Sequence, residues 1–166
     1  MVAKGGKAQF PYLEDPNTGE AMYESDDIVA YLYRNYGDGG VPIYLALGPL
    51  TTLGASLASV YRLGLGHRYR PARPSEKPLE LYSFEISPYC RIAREALCSL
   101  EIPYLLHNVG KNSPSRPAFE KRGGKMMLPY LVDPYTDTEM FESADIVAYL
   151  ERTYAEWEAR SRVARR

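Results

Sequence analysis

Residues 79–156 carry an alternating pattern of apolar and polar positions that is typical of a small α/β domain. Runs of period two predict strands, whereas apolar residues three or four positions apart predict helices. The predicted elements are a strand at 79–84, a helix at 90–101, a strand at 104–109, a polar helix around 117–121, a hairpin at 128–142 and a final helix. This β-α-β-α-β-β-α order predicts two parallel strands joined by a right-handed crossover, with the hairpin adding an antiparallel edge.

Both long helices have an apolar face that predicts the core of this domain. The first helix presents Ile92, Ala93, Ala96, Leu97 and Leu100, and the last helix presents Ile146, Leu150, Thr153, Tyr154 and Trp157. Residues at these spacings lie on one side of a helix, and such a face packs against a sheet or another helix.

The last helix is predicted to begin at Glu142-Ser143, with Ser143 as its N-cap. Serine is a favoured N-cap residue, and Asp145 places a negative charge near the positive end of the helix dipole. A helix N-terminus offers free N–H groups to an anion, while the carboxylate of Glu142 can hold an ammonium group. The pair therefore suits the zwitterionic end of an amino acid.

The hairpin and its helix occur twice in the chain. Residues 4–36 align with residues 122–154 without a gap, and about 20 of the 33 positions are identical. Such self-similarity indicates a tandem duplication. Residues 79–156 form a complete domain, but the first copy, at residues 1–37, lacks the strands and helix that precede the hairpin in the second. Either the chain is a fragment of a longer protein, which we favour, or the first copy is a half-domain.

Residues 38–78 are predicted to form a linker with an amphipathic helix near 49–62. Residues 41–61 are uncharged, and about 20 mostly apolar residues can span a membrane. However, Pro, Gly, Ser and Thr dilute the stretch, and its leucines share one helical face, which favours packing on a neighbour. The basic residues that follow, and the basic tail at 157–166, could contact an acidic membrane surface peripherally.

Composition narrows the class of protein. The chain is 45% hydrophobic and 25% charged, which indicates a globular fold rather than disorder. The net charge of −1 gives no reason to expect a nucleic-acid partner. Two cysteines, Cys90 and Cys98, exclude a disulfide framework, and His67 and His107 lack the spacing of metal ligands. We therefore expect no metal site.

Three landmarks are similar to those of a known family, the N-terminal domain of glutathione transferases. They are Ser87-Pro88-Tyr89-Cys90 after the first strand, Leu128-Pro129 before the third, and Glu142-Ser143 at the last helix. The resemblance covers residues 79–155 and implies a thioredoxin-like fold with glutathione as the ligand or cofactor. The repeat resembles a plant and algal group of tandem glutathione-transferase N-domain proteins, which implies a chloroplast location; otherwise a cytoplasmic location is expected.

The resemblance also implies the roles of two residues that face sulfur. Ser87 stands at the position where a Ser, Tyr or Cys side chain of the family contacts the sulfur of glutathione. A hydrogen bond from a hydroxyl favours thiolate over thiol. Cys90, at a helix N-terminus, could have a lowered pKa and form a mixed disulfide with glutathione. The alternative for Cys90 is a small buried side chain beneath the loop.

The rest of the implied site lies further along the chain. Pro129 would be the family's cis-proline, and the backbone of Leu128 would pair with the cysteinyl part of glutathione. Glu142 and Ser143 would hold the γ-glutamyl end, and Lys125 is a candidate partner for a carboxylate.

Two functions therefore compete. The first is a glutathione-binding protein with glutathione transferase or thiol-transfer activity, whose partner is glutathione or another thiol substrate. The second is a non-catalytic accessory subunit of a larger complex, such as one associated with the chloroplast membrane. The site landmarks favour the first. The truncated first copy favours the second, as does the lack of the helical C-terminal domain that supplies the electrophile pocket in the family. Ser87 also replaces the leading cysteine of the glutaredoxin-like Cys-Pro-Tyr-Cys pattern, which removes the usual attacking thiol of dithiol exchange.

Overall fold

The computed structural model describes residues 5–38, 40–42, 69–73 and 75–156. The chain divides between residues 63 and 64 into two compact units, called unit 1 and unit 2 below. The predicted amphipathic helix near 49–62, most of the stretch considered as a membrane span, and the basic tail at 157–166 lie outside the described residues. Among the helices that are described, none has both the length and the hydropathy needed to cross a bilayer.

Unit 1 contains a β-hairpin and a helix. Strands β1 (Tyr12–Asp15) and β2 (Glu20–Tyr23) pair antiparallel, and helix α1 (Ser25–Tyr36) follows. The turn between the strands closes through a hydrogen bond from the backbone N–H of Gly19 to the carbonyl of Asp15, at 2.9 Å. These are the elements predicted from the repeat, and the interpretation of unit 1 as a partial copy of a domain stays a prediction.

The described part of unit 2 has seven elements in the predicted order. They are β3 (Leu79–Ser83), α2 (Pro88–Ser99), β4 (Tyr104–Asn108), α3 (Arg116–Gly123), β5 (Tyr130–Asp133), β6 (Thr138–Phe141) and α4 (Ser143–Tyr154). The sheet order is β4-β3-β5-β6, with β3 parallel to β4 and the other pairs antiparallel. This α/β arrangement is thioredoxin-like, as predicted.

The core of unit 2 lies on both faces of its sheet. On one face, α2 and α4 pack over the inward side chains of β3 and β5, which include Leu79, Leu81 and Leu131. On the other face, α3 contributes Phe119 to a smaller cluster. Burial of these apolar side chains stabilises the domain by roughly 1.5–3 kcal/mol for each large residue.

The structure corrects two details of the predicted helices. Helix α2 begins at Pro88 rather than Cys90, because Ser87 caps it and proline suits the first helical position. Ile92, predicted to be in the core, is 42% exposed. Successive helical residues are about 100° apart, so the face formed by Ala93, Ala96, Leu97 and Leu100 leaves Ile92 at its edge.

The end of the predicted linker contacts unit 2. Residues 69–73 run beside the C-terminal end of α4, where Arg73 N–H donates to the carbonyl of Tyr154 at 2.8 Å and Glu156 N–H donates to the carbonyl of Pro71 at 3.0 Å. The side chains of Arg70 and Glu151 form an ion pair at 2.7 Å. This segment therefore fixes the last turn of α4 from outside the domain predicted at 79–156.

A matched pair of leucines tests how far each helix depends on packing. Leu150 on α4 is fully buried, whereas its counterpart Leu32 on α1 is 40% exposed. We expect Leu150→Ala to lower the free energy of unfolding of unit 2 by about 2–5 kcal/mol. Leu32→Ala should cost less than about 1 kcal/mol. Urea denaturation followed by circular dichroism measures both, and equal losses would contradict the burial difference.

Candidate functional site

The register of the sheet brings the predicted site segments to one end of unit 2. Tyr82, near the end of β3, pairs with Tyr130 at the start of β5, and Tyr130 pairs with Phe141 at the end of β6. The loop after β3, the segment before β5 and the junction after β6 therefore leave the sheet at the same end. Adjacent strands are about 4.8 Å apart, so β3 and β6 lie roughly 10 Å apart, which matches the length of an extended tripeptide.

Ser87 lies in the first of these segments and is the N-cap of α2. Its Oγ accepts a hydrogen bond from the backbone N–H of Cys90 at 3.3 Å, and its carbonyl accepts from Arg91 N–H at 3.1 Å. A serine hydroxyl has one donor hydrogen in addition to its acceptor lone pairs. The cap bond therefore orients the side chain and leaves the hydroxyl hydrogen free of that bond, although the residue is only 6% exposed.

Cys90 is fully buried in the first turn of α2. A thiol must reach solvent or a substrate to attack a disulfide, so this burial favours the packing role over the attacking one. Three apolar side chains in the segment around Ser87 are nevertheless exposed, namely Ile86, Tyr89 and Ile92. Tyr89 and Ile92 are three residues apart and therefore share one side of α2. The assignment of Cys90 as a catalytic residue stays a prediction.

Glu142 lies in the third segment and has an unusual backbone conformation, with φ 67° and ψ 121°. A non-glycine residue with positive φ is uncommon, and such a conformation costs on the order of 1–3 kcal/mol. Its carbonyl accepts a hydrogen bond from Ile146 N–H at 2.9 Å, and its side chain is exposed. The fold thus holds Glu142 at the start of α4 with its carboxylate towards solvent.

Ser143 is not the N-cap of α4 as predicted. The N-cap is Glu142, and Ser143 is the first helical residue, with a buried side chain. The prediction was wrong by one residue because the strand continues until Phe141 and the backbone turns at Glu142. No side chain caps α4, so its first backbone N–H groups receive no hydrogen bond acceptor from a capping residue. The N-terminus of α4 is therefore suited to an anion.

Leu128 and Pro129 form the second segment, directly before β5. Their peptide bond is cis, as the resemblance implied. Pro129 is fully buried, and Leu128 packs against the cluster around Phe119. Lys125 is exposed, with its Nζ 4.4 Å from the ring centre of Phe141. This cation–π contact places the lysine charge beside the residue that precedes Glu142.

Asp133 lies within the hairpin predicted at 128–142, and its side chain is a buried anchor for α4. Its Oδ2 accepts a hydrogen bond from Tyr149 Oη at 2.6 Å and another from Tyr154 Oη. Its Oδ1 accepts from the backbone N–H of Tyr135 at 2.9 Å. Burial by itself raises the pKa of the carboxyl, but these bonds bring the pKa of Asp133 below its ordinary value of 3.8.

Unit 1 repeats this anchor and the backbone turn. Oδ2 of Asp15 accepts hydrogen bonds from Tyr31 and Tyr36, and these bonds lower the pKa of Asp15. Glu24 has φ 70° and ψ 121° at the start of α1, and no side chain caps that helix either. The peptide bond before Pro11 is also cis. The described part of unit 1 has no segment equivalent to the loop that carries Ser87.

A cavity of about 450 Å³ lies elsewhere, between β3, β4 and α3. Its lining includes Tyr82, His107, Phe119 and Arg122, and none of the predicted site residues. This cavity is therefore distinct from the candidate site at the end of the sheet. Within the described ranges, no three His, Cys, Asp or Glu side chains cluster as a metal site would require.

One further polar group near the site was not predicted. Ser83, the last residue of β3, is buried, and its Oγ has no hydrogen-bond partner among the described residues. Buried hydroxyls are normally paired. An isolated serine in a strand carries no sequence signal that would have distinguished it.

Comparison with known families identifies the chain. The family model for the glutathione S-transferase N-terminal domain matches residues 1–40 and 81–158, which are 118 of the 166 residues. The chain belongs to this family. The match includes the three segments at the end of the sheet in unit 2 and the hairpin and helix of unit 1. No protein among the curated sequences matches the chain significantly.

Several solved structures are similar to part of the chain. An unclassified glutathione S-transferase from Bombyx mori is 27% identical, with a TM-score of 0.40; the match covers 48% of this chain and 37% of the Bombyx mori chain. A glutathione transferase from Phanerochaete chrysosporium is 21% identical, with a TM-score of 0.39; the match covers 46% of this chain and 38% of the transferase chain. Glutaredoxin 2 from Salmonella typhimurium, in complex with glutathione, is 24% identical, with a TM-score of 0.37; the match covers 46% of this chain and 34% of the glutaredoxin chain. The chain thus spans little more than a third of these structures.

The buried carboxylate of Asp133 should control the acid stability of unit 2. Its pKa is lowered on folding, so its contribution is present above the unfolded value of 3.8 and is lost as pH falls through the folded value. We expect Asp133→Asn to lower the free energy of unfolding by about 2–4 kcal/mol near neutral pH, because two phenol bonds lose a charged acceptor. Denaturation at a series of pH values should show this difference shrinking below about pH 4.

The matched control for this experiment is Asp15→Asn in unit 1. It removes the equivalent carboxylate and should leave the unfolding transition of unit 2 unchanged. A difference between wild type and Asp133→Asn that does not depend on pH would contradict the assignment of a charged anchor.

Proposed function

We propose that unit 2 binds glutathione, or a closely related γ-glutamyl thiol peptide, across the end of its sheet. The observation that carries the proposal is the register of β3, β5 and β6, which puts Ser87, Leu128 and Glu142 on segments that leave the sheet at one end. The roughly 10 Å across two strand spacings fits an extended tripeptide. Membership of the glutathione S-transferase N-terminal domain family supports the same ligand.

The γ-glutamyl end of the peptide would bind at the start of α4. Its α-carboxylate would accept hydrogen bonds from the uncapped N–H groups and from the hydroxyl of Ser143, and the helix dipole would add to the attraction. Its ammonium group would pair with the exposed carboxylate of Glu142. The positive φ of Glu142 supports this role, because backbone strain of this kind is concentrated at functional sites.

The middle of the peptide would contact the segment before β5. The cysteinyl backbone would pair with the backbone of Leu128, which lies before β5 and outside the ladder of the sheet. Lys125, whose charge lies over Phe141 beside Glu142, would attract a carboxylate of the peptide. An exposed ion pair of this kind contributes at most about 1 kcal/mol, so the start of α4 would supply most of the specificity.

The sulfur would reach the hydroxyl of Ser87. Because Ser87 Oγ already accepts the N–H of Cys90, its hydrogen is oriented to donate, and donation to sulfur lowers the pKa of the bound thiol. The thiolate could then attack an electrophilic carbon that carries a halide, so that the carbon–sulfur bond forms as the carbon–halogen bond breaks; the halide ion leaves and the thiol proton passes to solvent. The exposed apolar residues Ile86, Tyr89 and Ile92 beside Ser87 would favour an apolar electrophile.

A second candidate function is a non-catalytic accessory subunit that keeps the peptide site without turnover. The observation that favours it is the burial of both sulfur-facing candidates, since Ser87 is 6% exposed and Cys90 is not exposed at all. On this account glutathione binding would stabilise the fold or regulate assembly into a larger complex. A chloroplast location remains part of this second proposal.

Calorimetric titration tests the proposed binding site. We expect glutathione to bind with a Kd in the millimolar range or tighter, and the double variant Glu142→Gln with Ser143→Ala to weaken binding at least about tenfold, or 1.4 kcal/mol. The dipeptide Cys-Gly, which lacks the γ-glutamyl end, should bind wild type and variant equally weakly. The matched double variant Glu24→Gln with Ser25→Ala in unit 1 should bind like wild type.

Activity separates the two candidate functions. If unit 2 is a transferase, Ser87→Ala should leave glutathione binding within about twofold of wild type and reduce the rate of thioether formation by on the order of 10²-fold. Absorbance assays with small aryl electrophiles measure that rate. Binding without measurable turnover in the wild type supports the accessory role, and the absence of glutathione binding rejects both proposals for this site.

A further inference from the structure

Unit 1 has an apolar face that its counterpart in unit 2 buries. The face is formed by Leu13, Met22, Ile28, Leu32 and Tyr36, all of which are identical at the matching positions of unit 2. Leu32 is 40% exposed and Tyr36 is 56% exposed, whereas the matching Leu150 and Tyr154 are 0% and 4% exposed. Leu32 and Tyr36 are thus exposed where the identical side chains of unit 2 are buried.

In unit 2 the cover is a strand and a helix. Helix α2 packs on α4 in the core cluster, and β3 pairs antiparallel with β5 through Leu81 and Leu131. In unit 1, β1 occupies the position of β5 but pairs only with β2 among the described residues. Among the described residues, no strand pairs with its other edge, and adding a strand to such an edge is a common mode of recognition between chains. In the described part of unit 1, an unpaired edge and an exposed apolar face therefore occur together.

Charge distinguishes between possible occupants of this face. Residues 5–38 contain seven acidic and two basic residues, a net charge of −5. Two copies of unit 1 meeting face to face would bring like charges together, which opposes association. Residues 79–100, which form the cover of the matching face, contain three acidic and two basic residues, a net charge of −1. A strand-and-helix segment with so little charge therefore suits the face better than a second unit 1.

We propose that this face of unit 1 is an interface for a polypeptide segment built like residues 79–100, with an apolar strand followed by a helix. The strand would pair antiparallel with β1, opposite Tyr12, Leu13 and Glu14, as β3 pairs with β5. The helix would lie on Ile28 and Leu32 with small residues and leucine, as α2 lies on α4. This inference does not depend on glutathione binding.

The test supplies such a segment to the whole chain. Residues 75–121 of the protein's own sequence are joined ahead of Lys4, which aligns with Arg122, so that the added segment precedes unit 1 as it precedes the hairpin in unit 2. Hydrogen exchange followed by mass spectrometry then compares β1 and α1 in the extended and unextended chains. We expect exchange in β1 and in the buried turns of α1 to slow at least about 100-fold.

Two controls decide the outcome. In an extended chain whose added segment carries Leu81→Asp and Leu97→Asp, exchange in β1 and α1 should return to the rate of the unextended chain. Equal exchange in all three chains would overturn the proposal. So would a dimer of the unextended chain that Leu32→Asp converts to a monomer by light scattering, because the occupant would then be a second copy of the face.

Discussion

A buried carboxylate bound by two tyrosines holds together the part of the fold on which the candidate site depends. Asp133 ends β5, and its bonds to Tyr149 and Tyr154 join the hairpin to the middle and the end of α4. Because these bonds hold the hairpin and α4 in place relative to each other, the single residue between β6 and α4 must make the whole change of direction. Glu142 does so with a positive φ. The anchor therefore stabilises the conformation that presents Glu142 and an uncapped helix at the end of the sheet.

The repeat within the chain separates what this anchor does from what packing does. In the described part of unit 1 the same carboxylate, tyrosines and turn occur, but no strand and helix like those that cover them in unit 2. The local geometry at Glu24 nevertheless matches that at Glu142 to within a few degrees. Local hydrogen bonds thus suffice to set the turn, whereas burial of residues such as Leu150 requires the rest of the domain.

Sequence periodicity predicted the element order and the parallel and antiparallel pairs of unit 2, because alternating and helical patterns are strong there. It placed Ile92 in the core and Ser143 at the cap wrongly. The Ser143 error concerns where a helix begins, which depends on the backbone conformation of a single residue that a pattern does not encode. Ile92 was misplaced because it lies at the edge of the buried face of α2, where helical spacing alone does not separate buried from exposed positions. Asp133 was missed because an Asp before Pro is ordinary turn chemistry, and only the fold brings two distant tyrosines to it.

The central claim is that a glutathione-like peptide lies across the end of the sheet in unit 2, and mapping amide chemical-shift changes during a glutathione titration of the isotope-labelled chain tests it most directly. The account predicts that the largest changes cluster in the loop with Ser87, at Leu128, and at Glu142 and the first turn of α4, with the matching residues of unit 1 unaffected. Changes centred instead on the cavity lined by Tyr82 and Arg122, or no saturable change at millimolar glutathione, would contradict it.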